Sequence, residues 1–167
     1  MRALGRHLGM AWIVWSFAAA AASPVAAGTP IALVVSDRWS VEGITPADLR
    51  EAFLGGLVTL GTRRVVPVDQ SATSPVYDGF RHAVLGRSRR SLEDFWLEQA
   101  LSGAARPPRQ FSTVEAAIAY VARTPGAITY LRAADVARFP GVRVLSLLLD
   151  GGPVDPSDEG YRLSYEP

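Results

Sequence analysis

The sequence predicts an α/β domain built on a mixed, partly parallel sheet flanked by helices. Short, continuous apolar runs alternate along the chain with stretches of helical periodicity, the pattern of strands sandwiched between helices. Hydrophobic residues make up 49% and charged residues 20% of 167 residues, which is the composition of one folding domain and not of a disordered chain. Seventeen basic residues face 16 acidic ones, and cysteine is absent. That balance argues against a dedicated nucleic-acid binder, which needs a basic surplus to neutralise phosphates. The lack of cysteine excludes disulfides and thiolate metal sites. Every basic side chain apart from histidine is arginine, so lysine Schiff-base chemistry and a P-loop are excluded as well.

Residues 1–27 are expected to be a signal peptide. Arg2, Arg6 and His7 form a basic start, Leu8 to Ala22 is apolar and uncharged, and Val25-Ala26-Ala27 supplies the small residues of a processing site before Gly28. The apolar run is shorter than the ~20 residues that a spanning helix needs. Removing Arg2 and Arg6 leaves 15 arginines against 16 acidic residues, a net charge of −1 on an exported, cysteine-free domain, which fits a bacterial periplasm.

Ile31 to Val35 predicts a strand buried on both faces. Ser36 to Gly43 is a loop. Thr45-Pro46-Ala47-Asp48 then starts a helix, with Thr45 as cap, Pro46 at the first turn and Asp48 completing a capping-box-like pair. Leu49, Phe53 and Leu54 share its inner face, and Gly55-Gly56 stops it. A turn around Gly61 leads to the strand Val65–Val68, where Pro67 marks an edge or an end. The next helix opens at Ser74-Pro75, turns Phe80, Val84 and Leu85 inward and Arg81 and His82 outward, and ends at Gly86. Ser91-Leu92-Glu93-Asp94 starts a further helix carrying Phe95, Trp96 and Leu97. Ser112 or Thr113 caps a helix over 114–122 with Val114, Ala117, Ile118 and Val121 at core spacing. Strands follow at 127–130 and 142–148, with a short helix near 133–138 between them. The domain is expected to span 28–149, and 150–167 to be a loosely held acidic tail rich in Gly and Pro.

Catalytic chemistry has little to stand on, and no enzyme activity, cofactor or metal is expected. His82 is the one histidine after residue 27, no Gly-x-Ser-x-Gly elbow occurs, and one His with scattered acids makes no metal-ligand cluster. The informative stretch is Val68 to Pro75, which joins a strand's carboxyl end to a helix start, where open α/β sheets bind ligands. Ser71, Thr73 and Ser74 set three hydroxyls beside unpaired helix amides, a candidate cradle for an oxyanion; the same residue types also simply cap helices. The arginine runs 63–64 and 87–90 are either charge for such an anion or solvated surface. Trp39 stands in a loop, as an anchor or as a contact for a ligand or partner.

The order of Leu49-Arg50-Glu51-Ala52-Phe53-Leu54-Gly55, Val66-Pro67-Val68, the Ser-rich helix start, Phe95-Trp96, Pro107-Pro108 and Thr124-Pro125-Gly126-Ala127-Ile128-Thr129-Tyr130 resembles short exported proteins related to the phosphate-binding components of ABC transporters. The resemblance spans about Ile31 to Leu147 and implies a single-lobe, periplasmic-binding-protein-like domain of type 2. It implies that Ser71-Ala72-Thr73 is the counterpart of a Ser-Gly-Thr that holds phosphate, with Asp69 as the acid that accepts a proton from the bound anion. Ala72 replaces that glycine, Pro67 stands where the family has an arginine, Thr129 replaces a glycine, and Ser36-Asp37-Arg38-Trp39-Ser40 stands in place of the first anion loop. The implied ligand residues are Asp69, Ser71, Thr73 and Ser74, with Arg38 as added charge; the implied partners are phosphate or a similar small anion and a membrane permease or sensor protein. The alternative is a periplasmic interaction or sensory module without ligand, meeting a membrane partner through an exposed patch around Trp39.

Overall fold

β1, Thr29–Ser36, holds the centre of the sheet, and its six consecutive buried residues explain the unbroken apolar run. The computed structural model describes residues 28–158 and 160–165, so the expected signal peptide lies outside the described residues. Ile31, Leu33 and Val35 enter the larger core cluster, while Ala32 and Val34 enter a second cluster on the opposite face with Ile118 and Leu131. Alternation of side chains across a strand therefore feeds two cores, one on each side of the sheet.

The remaining strands are β2 Gly43–Ile44, β3 Thr59–Leu60, β4 Arg63–Arg64, β5 Val66–Asp69, β6 Arg109–Gln110, β7 Ala127–Arg132, β8 Val142–Leu149, β9 Gly152–Val154 and β10 Ser164–Tyr165. The main sheet runs β2-β8-β1-β7-β5-β6, with β9 paired to β8 and β10 to β1; β3 and β4 form a separate hairpin. β1 is antiparallel to both β7 and β8, while β5 is parallel to β7 and β6, and β2 is parallel to β8. The sheet is thus mixed and partly parallel, as expected. Pro67 pairs with Ile128 of β7, and β6 joins only from Val68 onward, so no neighbour on that side asks for the missing Pro67 amide.

The helices are α1 Pro46–Phe53, α2 Pro75–Phe80, α3 Arg89–Ser102 and α4 Val114–Arg123, with a 3₁₀ helix at Ala133–Arg138. α2 continues into a π turn, Arg81–Leu85. Thr45 accepts from the Asp48 amide and Thr113 from the Ala116 amide, the caps read from the sequence. α3 starts three residues earlier than expected, because Ser88 takes the cap by accepting from the Ser91 amide. Only Leu92 of α3 is fully buried, and Leu97 is 61% exposed: this helix lies on the outside, and Leu97 does not join the core. Among the described residues no helix is long and apolar enough to cross a membrane.

Two expectations need correction. Trp39 is buried in the main core, while Arg143 Nη2 donates to the Trp39 and Val41 carbonyls and fixes the loop. The exposed Trp39 patch of the alternative reading does not exist. The described residues of 150–167 are also not a loose tail. Thr29 pairs with Tyr165, the Ile31 amide donates to the Leu163 carbonyl, Tyr161 Oη donates to the Ile31 carbonyl, and Leu163 and Tyr165 are buried. Burying two such side chains is worth about 1.5–3 kcal/mol each, which outweighs the polar composition of the segment.

Gly79 makes this docking possible. A Cβ at Gly79 would sit 2.1 Å from Tyr165 Cβ. Gly79→Ala is therefore expected to loosen β10 and cost about 1–3 kcal/mol by overpacking, measured as a lower denaturation midpoint together with faster amide exchange at Ile31. An unchanged midpoint would contradict this docking.

Candidate functional site

The strand directions place the candidate residues before any side chain is considered. β5 is parallel to β7 and β7 is antiparallel to β1, so the carboxyl end of β5 lies beside Tyr130 and the first half of β1. Leu33 pairs with Tyr130, and Arg38 follows the opposite end of β1. Leu33 to Ser36 alone spans about 10 Å at roughly 3.3 Å per residue. Arg38 therefore does not join Asp69, Ser71 and Thr73; it is exposed at the far end of the sheet, its amide held by Ser36 Oγ.

At the near end, the loop from Asp69 to Ser74 is pinned from below. Tyr130 Oη donates to Asp69 Oδ1, and the Gln70 amide donates to the same oxygen at 2.9 Å. Gln70 is 1% exposed: its side-chain amide donates to the Tyr130 carbonyl, its Oε1 accepts from Ser74 Oγ, and its carbonyl accepts from Gln110 Nε2. The sequence reading passed over Gln70. The signal available was its place, one residue beyond Asp69, where strand alternation turns it to the opposite face.

The three hydroxyls separate accordingly. Ser71 Oγ and Thr73 Oγ1 lie 2.8 Å apart at the surface, and the Thr73 amide donates to Ser71 Oγ. Ser74, by contrast, is committed to Gln70 and faces a hollow of about 300 Å³ lined by Arg132, Asp135 and Arg138. It makes no side-chain capping bond to α2. Ser71 and Thr73 are together; Ser74 turns away from them.

Behind the loop runs a narrow crevice, with about 10 Å³ of free volume, between Asp69, Tyr77, Arg81, Trp96, Pro108 and Tyr130. That is room for about one water molecule. Arg81 was expected to face solvent, yet it is 4% exposed: the helix carries it beneath the loop, where its Nη2 donates to Asp78 Oδ1 at 2.6 Å and its Nη1 to the Arg87 carbonyl. The Nε of Arg81 is buried without a partner among the described residues. Arg89 approaches from α3; its Nη2 donates to the Ala72 carbonyl at 3.0 Å and to both Asp78 oxygens. Both guanidiniums approach the Tyr77 ring, 5.7 Å from its centroid for Arg81 and 5.8 Å for Arg89. Arg89, one of the arginines weighed as solvated surface, is thus fixed against the loop.

Burial raises the Asp69 carboxyl above its ordinary range, and the Tyr130 hydroxyl, the Gln70 amide and the Arg81 charge offset only part of that. Burial, and then the negative charge of Asp69, push the Tyr130 phenol well up and the Tyr77 phenol up. For Asp78, desolvation works upward, but the hydrogen bonds and charges of Arg81 and Arg89 win and hold it below the usual carboxylate range. Two carboxyls of one site are thus pushed in opposite directions.

Thr129 is fully buried, and its hydroxyl has no partner among the described residues. An unpaired buried hydroxyl costs about 1–3 kcal/mol. It belongs to the face of β7 opposite Tyr130 and has no part in the loop.

No protein-family model matches the chain, and no curated protein matches it. Solved structures do. An ABC-type phosphate transport receptor from Vibrio cholerae superposes with a TM-score of 0.61 at 16% identity, over 81% of this chain and 53% of that one. PstS from Borrelia burgdorferi gives 0.59 at 12% identity, over 82% and 55%. A Clostridium perfringens protein of the phosphate-transporter substrate-binding type, solved with bound phosphate, gives 0.53 at 18% identity, over 71% and 44%. The fold is therefore the periplasmic-binding-protein-like α/β fold of the phosphate transport receptors, and the chain spans about half the length of these structures.

The opposed carboxyl shifts have a signature. A carboxyl raised in the folded state binds more protons there than in the unfolded chain, so Asp69 makes stability fall as pH rises from its unfolded pKa through its folded one. Asp78 acts in the reverse sense, and its contribution is lost as pH falls through its lowered pKa. Carboxyl carbon NMR is expected to show Asp69 titrating above and Asp78 below the ordinary aspartate range. The reverse order would refute this electrostatic picture.

Proposed function

We propose that the protein is an exported, non-enzymatic, solute-binding-like domain that takes phosphate or a similar small oxyanion at the loop between β5 and α2. The observation that carries this reading is the pair of surface hydroxyls, Ser71 and Thr73, adjoining at the carboxyl end of β5, in a fold shared with phosphate transport receptors. Ligands of open α/β sheets gather at this position. The Ser71 and Thr73 hydroxyls donate to the anion. Asp69 acts from beneath: its carboxylate, held by the Tyr130 hydroxyl and the Gln70 amide, accepts a proton from the bound anion. Ser74 serves the loop through Gln70 rather than the ligand.

On this surface alone the anion keeps part of its hydration, so binding is micromolar or weaker unless a partner covers it. A membrane permease or sensor protein is the partner class that suits an exported binding domain. Export rests on the basic, apolar and small-residue order of residues 1–27, and the exported protein then begins at Gly28. Recovery of secreted protein that still begins at Met1 would refute cleavage.

Calorimetric titration with phosphate is expected to give saturable heat that the double variant Ser71→Ala/Thr73→Ala loses by about tenfold or more in affinity. Absence of heat at millimolar phosphate, or an unchanged isotherm for the double variant, would overturn the reading.

A further inference from the structure

We infer that Arg89 is the charged contact of this anion site, delivered from α3 and aimed by Asp78 and the Ala72 carbonyl. The inference rests on the oxyanion reading above and adds to it the residue that supplies charge. Ser71 and Thr73 offer only neutral donors, and hydrogen bonds between neutral groups are weak holds on an anion in water. Arg89 reaches the backbone of Ala72, between those two hydroxyl residues, at 3.0 Å. Its other bonds also use Nη2 alone, at 3.2 and 3.3 Å to the two Asp78 oxygens. Nε and Nη1 form no hydrogen bond among the described residues, and the side chain is 47% exposed. The guanidinium is thus held in place by one nitrogen while two remain unengaged.

The surroundings show that this is more than a surface ion pair. Asp78 accepts from two guanidiniums, so one carboxylate serves two positive charges. The second, Arg81, is buried at 5% side-chain exposure in the crevice that also holds Asp69 and Tyr77, and its Nε has no partner among the described residues. A buried guanidinium with an unpaired donor is costly, and a nearby anion offsets part of that cost through the field it places on the crevice. Tyr77 keeps both guanidiniums against one ring. The arrangement selects a compact, multiply charged oxyanion at the loop surface over a neutral solute.

The test is titration of inorganic phosphate into the wild type, Arg89→Gln, Arg89→Lys and Arg90→Gln at low and moderate ionic strength. Arg89→Gln is expected to weaken binding by at least about tenfold, since charge-assisted hydrogen bonds are the strong ones, and to flatten its salt dependence. Arg89→Lys keeps the salt dependence, because the charge remains. Arg90→Gln, removing the exposed neighbouring arginine, changes affinity by less than about twofold. Equal losses for Arg89→Gln and Arg90→Gln, or no loss for Arg89→Gln, overturn the inference while phosphate binding that depends on Ser71 and Thr73 still stands. A wild type that binds no phosphate overturns both.

Discussion

Tyr130 ties the sheet to the loop above it. Its ring stacks on Phe80 with centroids 3.8 Å apart and planes within 4°, and Phe53 packs edge-on against Phe80. Its hydroxyl reaches Asp69 and its carbonyl receives Gln70, so both ends of the residue act on the carboxyl end of β5. The aromatic stack fixes where the hydroxyl points, the hydroxyl fixes Asp69, and Asp69 with Gln70 fixes the turn into α2. The hydroxyls of Ser71 and Thr73 are surface groups on a buried mount. A loop built only of small polar residues would carry no such constraint, because its own hydrogen bonds compete with water on equal terms.

The same mount explains why one carboxyl sits below the site and another beside it. Asp69 is desolvated by the aromatic crevice, whereas Asp78 meets two guanidiniums at its edge. Asp69 ends β5, inside the sheet, and Asp78 with its partner Arg89 belongs to helices whose positions the core dictates: Val76 and Phe80 of α2 are buried, and Leu92 anchors α3. The chain thus brings positive charge to the loop from the helices that follow it, not from the first loop of the domain, where Arg38 stands at the other end of the sheet.

Much of the fold was legible in the sequence because it rests on local rules. The unbroken run Ile31–Val35, the caps Thr45 and Thr113, the stop at Gly86 and the core spacing of Ala117, Ile118 and Val121 each follow from periodicity or capping and recur in the structure. What escaped depends on contacts distant in sequence. Leu163 and Tyr165 are apolar residues in a polar segment, and they dock through pairing with β1 and, for Tyr165, into the space left by Gly79. Arg81 is buried in a crevice that Trp96, Pro108 and Tyr130 close from elements further along the chain. The hydroxyls of Ser71 and Thr73 were legible as a pair, but the departure of Ser74 from them was not, because it turns on the buried amide of Gln70, 60 residues from the carbonyl it meets. Arg38 failed for a topological reason: adjacency to the first strand in sequence says nothing of which end of the sheet that strand delivers.

The central claim is that a small oxyanion meets this protein at the turn from β5 into α2. Backbone amide shift mapping during phosphate addition tests it most directly. The account predicts saturable shifts concentrated at the amides of residues 71–74 and 76 and, in the same spectra, at the Arg89 Nε–H, with Arg38 and its loop silent. Shifts centred on Arg38, or spread evenly over the exposed arginines, would contradict it.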